Sequence, residues 1–584
     1  MSRKRAFWLL ALVASLSLLP FLGLTDFNTR GEPREAVVAL SMLNSGNWVL
    51  PVNNGVEIPF KPPFFHWCIA VCSWCAGAVT EVTSRLPSAL SLIGMALACF
   101  LFYARRRGVE VALLSSLILL TNFEVHRAGM ACRVDMVLTA LIVCSLLLLY
   151  RWGERGLRGL PYAAVLCLSA AFLTKGPTGI VLPLLVTAVF QLVRGVSLGR
   201  VFGRYLLVGL LSCILPMVWY VAAYAQGGQR FLDLVLEENV YRFLGRMTYE
   251  AHVNPAYYNV VTVVAGYVPY TLLLLISLFF LHYRRPSWPS QGWQRFKQWL
   301  CGMDDARLLS LLSIVLIFVF YCIPKSKRSV YLLPIYPFLA YYLAEYIIYL
   351  CRAHRKAVTV FGGIMASLAV LLCVVFVAVR VGLVPQDVFT GRHAEQNRAF
   401  MHAISQLPDS WYAGLAMLCP LVGAAGWMVV RRRRPSGPVL AYAVVGVVYS
   451  IFLALDGAYQ PAVLNVKSDK QVAQAVARIV SQGRIYSYRT DVVPANRMHP
   501  FTVNFYLGDR MVPFECFMPE QGYVLMGDDA LQDFSARFGQ RYALQLVYDS
   551  GHISCDDKRV NKLYRFDLKA SAGTTDEGGE AGDA

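Results

Sequence analysis

Apolar segments of roughly 20 residues recur along most of this 584-residue chain, and they limit the architectures open to it. Hydrophobic residues make up 57% of the sequence and charged residues 15%, and the mean hydropathy is +0.50. A helix needs roughly 20 apolar residues to cross the hydrocarbon core of a bilayer. Ordinary soluble domains are less apolar and more charged. We therefore expect a polytopic α-helical membrane protein.

The net charge of +18 does not indicate a nucleic-acid partner, because the cations fall in short runs between apolar segments. Such runs occupy 105–107, 284–285, 352–356 and 431–434. Short loops rich in Lys and Arg are typical of the cytoplasmic side of a membrane. The basic runs therefore serve to orient the chain, and we expect no nucleic acid to bind.

The apolar segments predict about thirteen membrane spans. They lie near 7–24, 86–103, 109–124, 134–150, 160–174, 177–193, 204–223, 262–282, 307–323, 331–350, 357–380, 411–430 and 437–455. The stretch 64–79 is ambiguous, and placing it along the interface lets almost every basic run fall inside. The N-terminus is then cytoplasmic, and an odd number of spans puts the C-terminus on the outer, periplasmic side.

This orientation gathers many charged groups on the outer side, in a first loop (25–85), a second loop (224–261) and the ends of several spans. These groups are Glu32, Arg34, Lys61, Arg133, Asp135, Lys175, Lys325, Lys327 and Arg328. Charges beside or within a membrane are costly and often functional. Their convergence on one face predicts a single active site within a transmembrane domain, residues 1–457.

The region 458–570 has a different character and predicts a small periplasmic α/β domain. Residues 469–481 have helical spacing, and β-rich runs follow at 484–488, 501–507, 523–526, 543–548 and 563–566. The last stretch, 571–584, is rich in Gly and acid and is expected to be disordered.

Fifteen cysteines do not form a recognisable metal pattern. Most lie in apolar runs, and Cys68, Cys72 and Cys75 lack the further Cys or His ligands of a zinc motif. No phosphate-binding glycine loop of the nucleotide-binding type is present. We predict no metal site and no nucleotide cofactor.

Several motifs in order resemble the GT-C glycosyltransferases, in particular the aminoarabinose lipid A transferases and the protein O-mannosyltransferases. The motifs lie at 30–36, 42–51, 61–67, 132–139, 172–177, 238–243 and 324–334. The resemblance covers residues 7–350 well. It implies a polyprenyl (undecaprenyl) phosphate sugar donor, an acceptor such as lipid A or another lipid or protein of the envelope, and transfer at the outer face of the bacterial inner membrane.

The resemblance implies that Glu32 is the catalytic carboxylate and that Asp135 assists it. A carboxylate stabilises an oxocarbenium-like transition state or takes a proton from an acceptor hydroxyl. Relatives often have Asp-Glu where this chain has Gly31-Glu32, so Glu32 would act alone, with Asp26 as a fallback. The structural alternatives are that Glu32 caps the helix beginning at Pro33 and that Asp135 pairs locally with Arg133.

Cations and one tyrosine are the candidates for binding the donor phosphate. The resemblance assigns Lys61 to the lipid phosphate and Tyr331 to its vicinity, and Arg34, Arg133, Lys175, Arg242 and Lys327 are further candidates. The alternatives are that Lys61 and Lys175 reach toward lipid headgroups and that Tyr331 belongs to an interfacial aromatic belt. Relatives often carry a metal-linked acid where this chain has Phe60, so a divalent metal is doubtful.

Two other classes of protein remain open from the sequence. A polytopic transporter or flippase of a lipid-linked saccharide accounts for the spans, but not for the polar first loop or the outer domain. A non-catalytic envelope scaffold would act through that domain. We favour an inverting membrane glycosyltransferase that acts by single displacement.

Overall fold

A computed structural model describes residues 1–59, 61–241, 253–255, 257–283, 292–391, 394–407, 410–433, 438–489 and 500–569. The chain divides into two compact units. The first comprises Met1–Val52 and Ile58–Ser468, and the second comprises Asn53–Glu57 and the chain from Asp469 onward. The predicted disordered tail at 571–584 lies outside the described residues.

The first unit is helical. Its described helices are α1 (Arg3–Leu18), α2 (Gly31–Ser45), α3 (Phe64–Ala76), α4 (Glu81–Arg106), α5 (Val109–Leu120), α6 (Phe123–Gly129), α7 (Val134–Glu154), α8 (Tyr162–Lys175), α9 (Thr178–Val193), α10 (Leu198–Leu236), α11 (Tyr258–Gly266), α12 (Tyr270–Leu278), α13 (Gly292–Gly302), α14 (Asp305–Cys322), α15 (Tyr336–Ala353), α16 (Arg355–Arg380), α17 (Ala394–Ser405), α18 (Trp411–Arg433), α19 (Pro438–Ala454) and α20 (Gln460–Asn465).

Nine helices within the described ranges are long and apolar enough to cross a membrane, or eleven if each of two bent pairs counts as one span. The bent pairs are α5 with α6, at 69°, and α11 with α12, at 101°. The prediction of about thirteen spans includes α8 and α9. These helices have only 14 and 16 residues, shorter than a bilayer usually requires.

One large apolar core holds the helices of the first unit together. Phe100 of α4, Ile142 of α7, Phe338 of α15 and Val447 of α19 are all fully buried in it. Polar groups inside this core are paired: the hydroxyls of Tyr103 and Ser310 are 2.7 Å apart. These two buried hydroxyls therefore satisfy each other, as a low-dielectric interior favours.

The ends of helices place the polar groups that matter for the site. Helix α2 begins at Gly31, directly after the first span, and carries Glu32 in its first turn. Helix α7 begins after Arg133 and carries Asp135 in its first turn. Helix α8 ends at Lys175, and Gly176 then adopts a φ of +85°, which favours a residue without a Cβ.

The second unit is an α/β domain built on a five-stranded sheet. Its strands are β1 (Ile485–Tyr488), β2 (Met511–Pro513), β3 (Gln521–Gly527), β4 (Tyr542–Ile553) and β5 (Val560–Leu568), in the order β2-β1-β3-β5-β4. The pairs β1–β2 and β1–β3 are parallel, whereas β3–β5 and β4–β5 are antiparallel. Its helices are α21 (Lys470–Ile479), α22 (Phe501–Tyr506), α23 (Phe514–Phe517) and α24 (Leu531–Phe538).

Most of the predicted elements of this domain are present, with one error. The run 501–507 was predicted as a strand because of its aromatic and β-branched residues, but it forms helix α22. The Asp556 carboxylate accepts hydrogen bonds from the backbone N–H and the hydroxyl of Thr502, at 2.7 and 2.9 Å. Contacts of this kind with distant residues override local β-propensity.

Candidate active site

A cavity of about 410 Å³ opens among α8, α9, α14 and the segment that precedes α15. We call it the first cavity. Its polar lining includes Lys61, Lys175, Tyr331, Glu238 and Asn239, and the rest of its wall is largely apolar. Cations set in an apolar wall are suited to a ligand that joins an anionic group to a hydrocarbon chain.

Lys61 is held in the first cavity by carboxylate contacts from α2. Its Nζ atom forms an ion pair with Glu35, which also accepts a hydrogen bond from Arg34 at 3.1 Å. The Nε2 atom of His66 lies 3.0 Å from the other Glu35 oxygen, and both side chains are buried. Glu35 therefore fixes one cation of the cavity and is itself surrounded by donors.

This arrangement shifts the pKa values of Lys61 and Glu35. Burial lowers the pKa of the Lys61 ammonium to about 8, even though the charge of Glu35 opposes that change. Burial alone would raise the pKa of Glu35, but the charge of Lys61 and the hydrogen bond to His66 outweigh it, and the pKa lies well below its usual range. Near neutral pH, Glu35 is an anion and Lys61 is mostly a cation.

Lys175 is the second cation of the cavity. Its Nζ atom forms an ion pair with Asp135 and lies 4.5 Å from the centre of the Tyr331 ring. The following Gly176 leaves room for Asn239: a Cβ on Gly176 would lie 2.5 Å from the Asn239 amide oxygen. The turn after α8 therefore brings Lys175, Tyr331 and Asn239 into one wall.

A second cavity, of about 600 Å³, shares no lining residue with the first. Its polar lining includes Glu32, Arg85, Arg127, Arg133 and His126. Apolar residues, among them Phe21, Met365, Leu368 and Phe452, form the remaining wall. Arg127 and Arg133 beside an apolar surface again suit an anionic amphiphile.

Glu32 is fixed in the wall of the second cavity by a bidentate pair with Arg85. The Arg85 Nε and Nη2 atoms donate to the two Glu32 oxygens at 2.9 and 3.1 Å, and the backbone N–H of Cys132 donates to Glu32 at 2.9 Å. Burial would raise the pKa of Glu32, but the charge and hydrogen bonds of Arg85 outweigh it and lower the pKa. Glu32 is therefore a buried, ionised and firmly oriented carboxylate.

The starts of helices α2 and α7 carry side chains that line one cavity and contact the other. On α2, Glu32 lines the second cavity and Glu35 contacts Lys61 of the first. At α7, Arg133 lines the second cavity, whereas Asp135 contacts Lys175 of the first. Side chains at the starts of α2 and α7 thus line the second cavity and contact the cations of the first.

Gly31 belongs to the same wall. A Cβ at this position would lie 2.1 Å from the Arg133 Nη2 atom, so the guanidinium occupies the space that any larger side chain would need. The absence of a side chain at Gly31 lets Arg133 pack directly against the start of α2.

The structure brings some of the sequence candidates together and separates others. Lys61, Lys175 and Tyr331 line the first cavity, and Asp135 and Arg34 contact its charged groups. Glu32 and Arg133 line the second cavity instead. The buried Lys327 donates to the carbonyl of Pro324 at 2.7 Å, and its neighbour Ser326 lines the first cavity. Arg242 and Phe60 lie outside the described residues.

Sequence reasoning missed the partners of these residues. Arg85 was placed at the edge of a span without a role, although a lone arginine within an apolar segment is a recognisable signal. Glu35 lies in the same motif as Glu32 and was not weighed. His126, whose Nε2 atom is 2.6 Å from Asp456 in the wall of the second cavity, carried no sequence signal that singled it out.

The helical arrangement and the C-terminal sheet domain define the GT-C glycosyltransferase fold, carried by a multi-pass membrane protein. The family described as dolichyl-phosphate-mannose-protein mannosyltransferase matches residues 60–220. The structure of ArnT from Cupriavidus metallidurans bound to undecaprenyl phosphate superposes with a TM-score of 0.68 at 20% identity, and covers 95% of this chain and 97% of that one. The resemblance inferred from the motifs is thereby confirmed.

Curated relatives agree with this fold. An undecaprenyl phosphate-alpha-4-amino-4-deoxy-L-arabinose arabinosyl transferase from Shewanella sediminis is 27% identical over 338 residues, which are 57% of this chain and 58% of the relative. An enzyme of the same description from Proteus mirabilis is 25% identical over 359 residues, 58% of this chain and 60% of that protein. The chain thus matches about three fifths of the length of these relatives.

Proposed function

We propose that this chain is a membrane glycosyltransferase that moves a sugar from a polyprenyl-phosphate donor to an acceptor of the cell envelope. The observation that carries the proposal is the pair of cavities, each with cations in an apolar wall, whose charged groups include or contact side chains at the starts of α2 and α7. A transferase between two lipids needs two such amphiphilic sites with their polar ends close together.

The first cavity is proposed to take the donor. Lys61 and Lys175 would bind the phosphate through charge-assisted hydrogen bonds, with Tyr331 beside them, and the apolar wall would take the first isoprene units. Both lysines already carry a carboxylate partner, so a phosphate would share or replace an existing ion pair. The donor named for the Shewanella and Proteus relatives, an undecaprenyl-phosphate sugar, has this chemistry.

The second cavity is proposed to take the acceptor. Arg127 and Arg133 would favour an anionic group, since Arg85 is already paired with Glu32, and the apolar wall would favour an acyl or prenyl chain. A phosphorylated glycolipid such as lipid A fits these properties better than a neutral peptide.

The reaction would be a single displacement with inversion. An ionised phosphate oxygen of the acceptor forms a bond to the anomeric carbon, and the bond from that carbon to the donor phosphate oxygen breaks, so no proton has to be removed. The leaving polyprenyl phosphate gains negative charge, which Lys61 and Lys175 stabilise. Glu32 has a lowered pKa and is a weak base, so it would orient the acceptor and stabilise the oxocarbenium-like state. Asp135 would hold Lys175 toward the phosphate.

The charged walls are proposed to face the periplasm, with the N-terminus in the cytoplasm and the second unit outside. The basic runs between spans support this orientation, since they would then fall on the cytoplasmic side. The sugar would be taken from lipid at the outer face, where no nucleotide sugar is available.

The test is sugar transfer by the purified full-length protein in proteoliposomes that contain a polyprenyl-phosphate sugar and a lipid acceptor. Lys61→Met and Lys175→Met should each lower transfer at least 100-fold, because each removes a charge that stabilises the leaving group. Lys467→Met is the matched control, since Lys467 lies over the Phe400 ring at 4.9 Å and lines neither cavity.

The same proteoliposomes separate the transferase from a transporter or flippase. A transferase produces a glycosylated acceptor and free polyprenyl phosphate in equal amounts. Movement of intact donor between leaflets without any cleavage of the sugar–phosphate bond would contradict the proposal.

A further inference from the structure

The second unit contains a cluster of metal-ligating side chains that lines neither cavity. One ligand atom from each of Asp469, Cys555 and Asp556 lies within 4.8 Å of the others. The Nε2 atom of His552 is 3.4 Å from Asp469 Oδ1. Asp469 directly precedes α21, whereas the other three residues lie at the end of β4 and in the connection to β5. The fold therefore assembles this cluster from two distant parts of the chain.

Asp469 is the buried centre of the cluster. Its side chain is 0% exposed, and its Oδ2 atom accepts hydrogen bonds from the Ser554 hydroxyl at 2.6 Å and the Cys555 N–H at 3.2 Å. Its Oδ1 atom points toward the His552 ring and accepts no hydrogen bond from the described residues. A buried carboxylate oxygen without a donor is costly, and a bound cation would satisfy it.

Asp556 adds a second buried carboxylate. Each of its oxygens accepts one hydrogen bond from Thr502, at 2.9 and 2.7 Å, and each therefore retains a lone pair for another partner. The Cys555 Sγ atom lies 3.4 Å from Asp469 Oδ2 and 3.4 Å from the Thr502 hydroxyl. The Cys555 thiol donates to Asp469, whereas the two carboxylates so close together would repel one another as anions unless a proton or a cation lay between them.

We propose that Asp469, His552, Cys555 and Asp556 form a binding site for zinc or a metal ion of similar preference. Zinc takes carboxylate oxygen, imidazole nitrogen and thiolate sulfur in one tetrahedral shell, at roughly 2.0–2.3 Å. Ligand atoms at such distances are about 3.4 Å from one another, which is the distance from Asp469 Oδ1 to His552 Nε2 and from Asp469 Oδ2 to Cys555 Sγ. Calcium and magnesium prefer oxygen ligands alone, so the thiol and imidazole disfavour them.

Such an ion would have a structural role. It would join the β4–β5 connection to the start of α21, so that one end of the sheet is fixed to the segment where the second unit begins. Four protein ligands leave no open position for a substrate, which is the usual arrangement of a structural rather than a catalytic zinc site. The inference does not depend on the proposed sugar transfer.

The test uses the purified full-length protein in detergent, stripped with a chelator and then titrated with ZnCl2. The wild type should bind one zinc equivalent more than the Cys555→Ser and Asp469→Asn variants. Cys516→Ser is the matched control, because Cys516 is an exposed free thiol of the same unit. This control should bind zinc as the wild type does. Equal zinc contents in the wild type and Cys555→Ser would overturn the proposal.

A second measurement keeps the test decisive if a variant does not fold. Titration of the wild type and Cys516→Ser with CoCl2 should produce the near-ultraviolet absorption band of a cobalt–thiolate bond. The band should be absent in Cys555→Ser. A wild-type protein that gives no thiolate band with cobalt would refute the site without recourse to any variant.

Discussion

Arg85 and Glu32 form a bidentate ion pair between the start of α2 and the start of the long helix α4. The two donor–acceptor distances are 2.9 and 3.1 Å, and the Arg85 and Glu32 side chains are only 2% and 9% exposed. Arg85 Nη1 also donates to the carbonyls of Leu22 and Thr25, at 2.8 and 2.6 Å. This one guanidinium therefore ties the end of the first span, helix α2 and helix α4 together.

Removal of one partner of this pair should destabilise the fold. Arg85→Met leaves the Glu32 carboxylate buried without its main partner, and we expect a loss of about 3–5 kcal/mol in the free energy of unfolding. The double variant Arg85→Met/Glu32→Gln should recover part of that loss, because no unpaired charge remains. Thermal unfolding in detergent measures both. Glu154→Gln is the control: Glu154 is 42% exposed in its pair with Arg106, and such surface pairs contribute about 0–1 kcal/mol. An Arg85→Met variant as stable as Glu154→Gln would contradict the prediction.

The pKa of about 8 for Lys61 predicts a pH limit for donor binding. Lys61 is protonated below this value and can bind phosphate, and it loses its charge as the pH rises above it. The value of kcat/KM should therefore be level below about pH 8 and fall about tenfold per pH unit above it. In Lys61→Arg this decrease in kcat/KM should not occur within the pH range in which the enzyme is stable, since a guanidinium stays charged. If kcat/KM of Lys61→Arg still fell above about pH 8, the group that titrates there would not be Lys61.

The charge of Glu35 determines the pH above which kcat/KM falls. Glu35 is the strongest influence that raises the Lys61 pKa against the effect of burial. In Glu35→Gln the Lys61 pKa should fall further, so the break in kcat/KM should move to lower pH and activity near pH 7.5 should decrease. Activity should return when the pH is lowered, which distinguishes a shifted pKa from a damaged fold. The control Glu110→Gln changes an exposed carboxylate at the start of α5 and should leave the pH profile in place.

Gly31→Ala should affect the acceptor more than the donor. The new Cβ would lie 2.1 Å from Arg133 Nη2, so the guanidinium must move out of its place in the wall of the second cavity. Loss of about 1.4 kcal/mol of acceptor binding would raise the acceptor KM about tenfold, with the donor KM little changed. Gly94→Ala in α4 is the control, because nothing lies within 4 Å of its added Cβ. An equal rise in both KM values would count against separate sites.

The membrane architecture could be predicted because it depends on local composition. Apolar segments and basic loops revealed most spans, and the ordered motifs indicated the GT-C fold before any geometry was known. The bends between α5 and α6 and between α11 and α12 could not be predicted, since a span and a broken span have similar composition. In the second unit, helix α22 was wrongly predicted as a strand because its contact with Asp556 comes from more than fifty positions away.

The candidate site was predictable by residue type but not by partner. The sequence placed Lys61, Lys175 and Tyr331 on one side of the membrane, and the structure brings them into one cavity. It gave no means of telling that Glu32 pairs with Arg85, or that Glu35 rather than Glu32 contacts Lys61. Two carboxylates three positions apart on one helix differ in role only through the distant residues that face them.

Because Glu32 and Glu35 are separated by less than one turn of α2, a shift of that turn would move both carboxylates. A ligand that drew Lys61 away from Glu35 would alter the forces on the same rigid turn that orients Glu32. Occupancy of one cavity and affinity in the other would then be thermodynamically linked, and the linkage would be reciprocal. In this molecule the coupling between the two cavities would act across a single turn of α2.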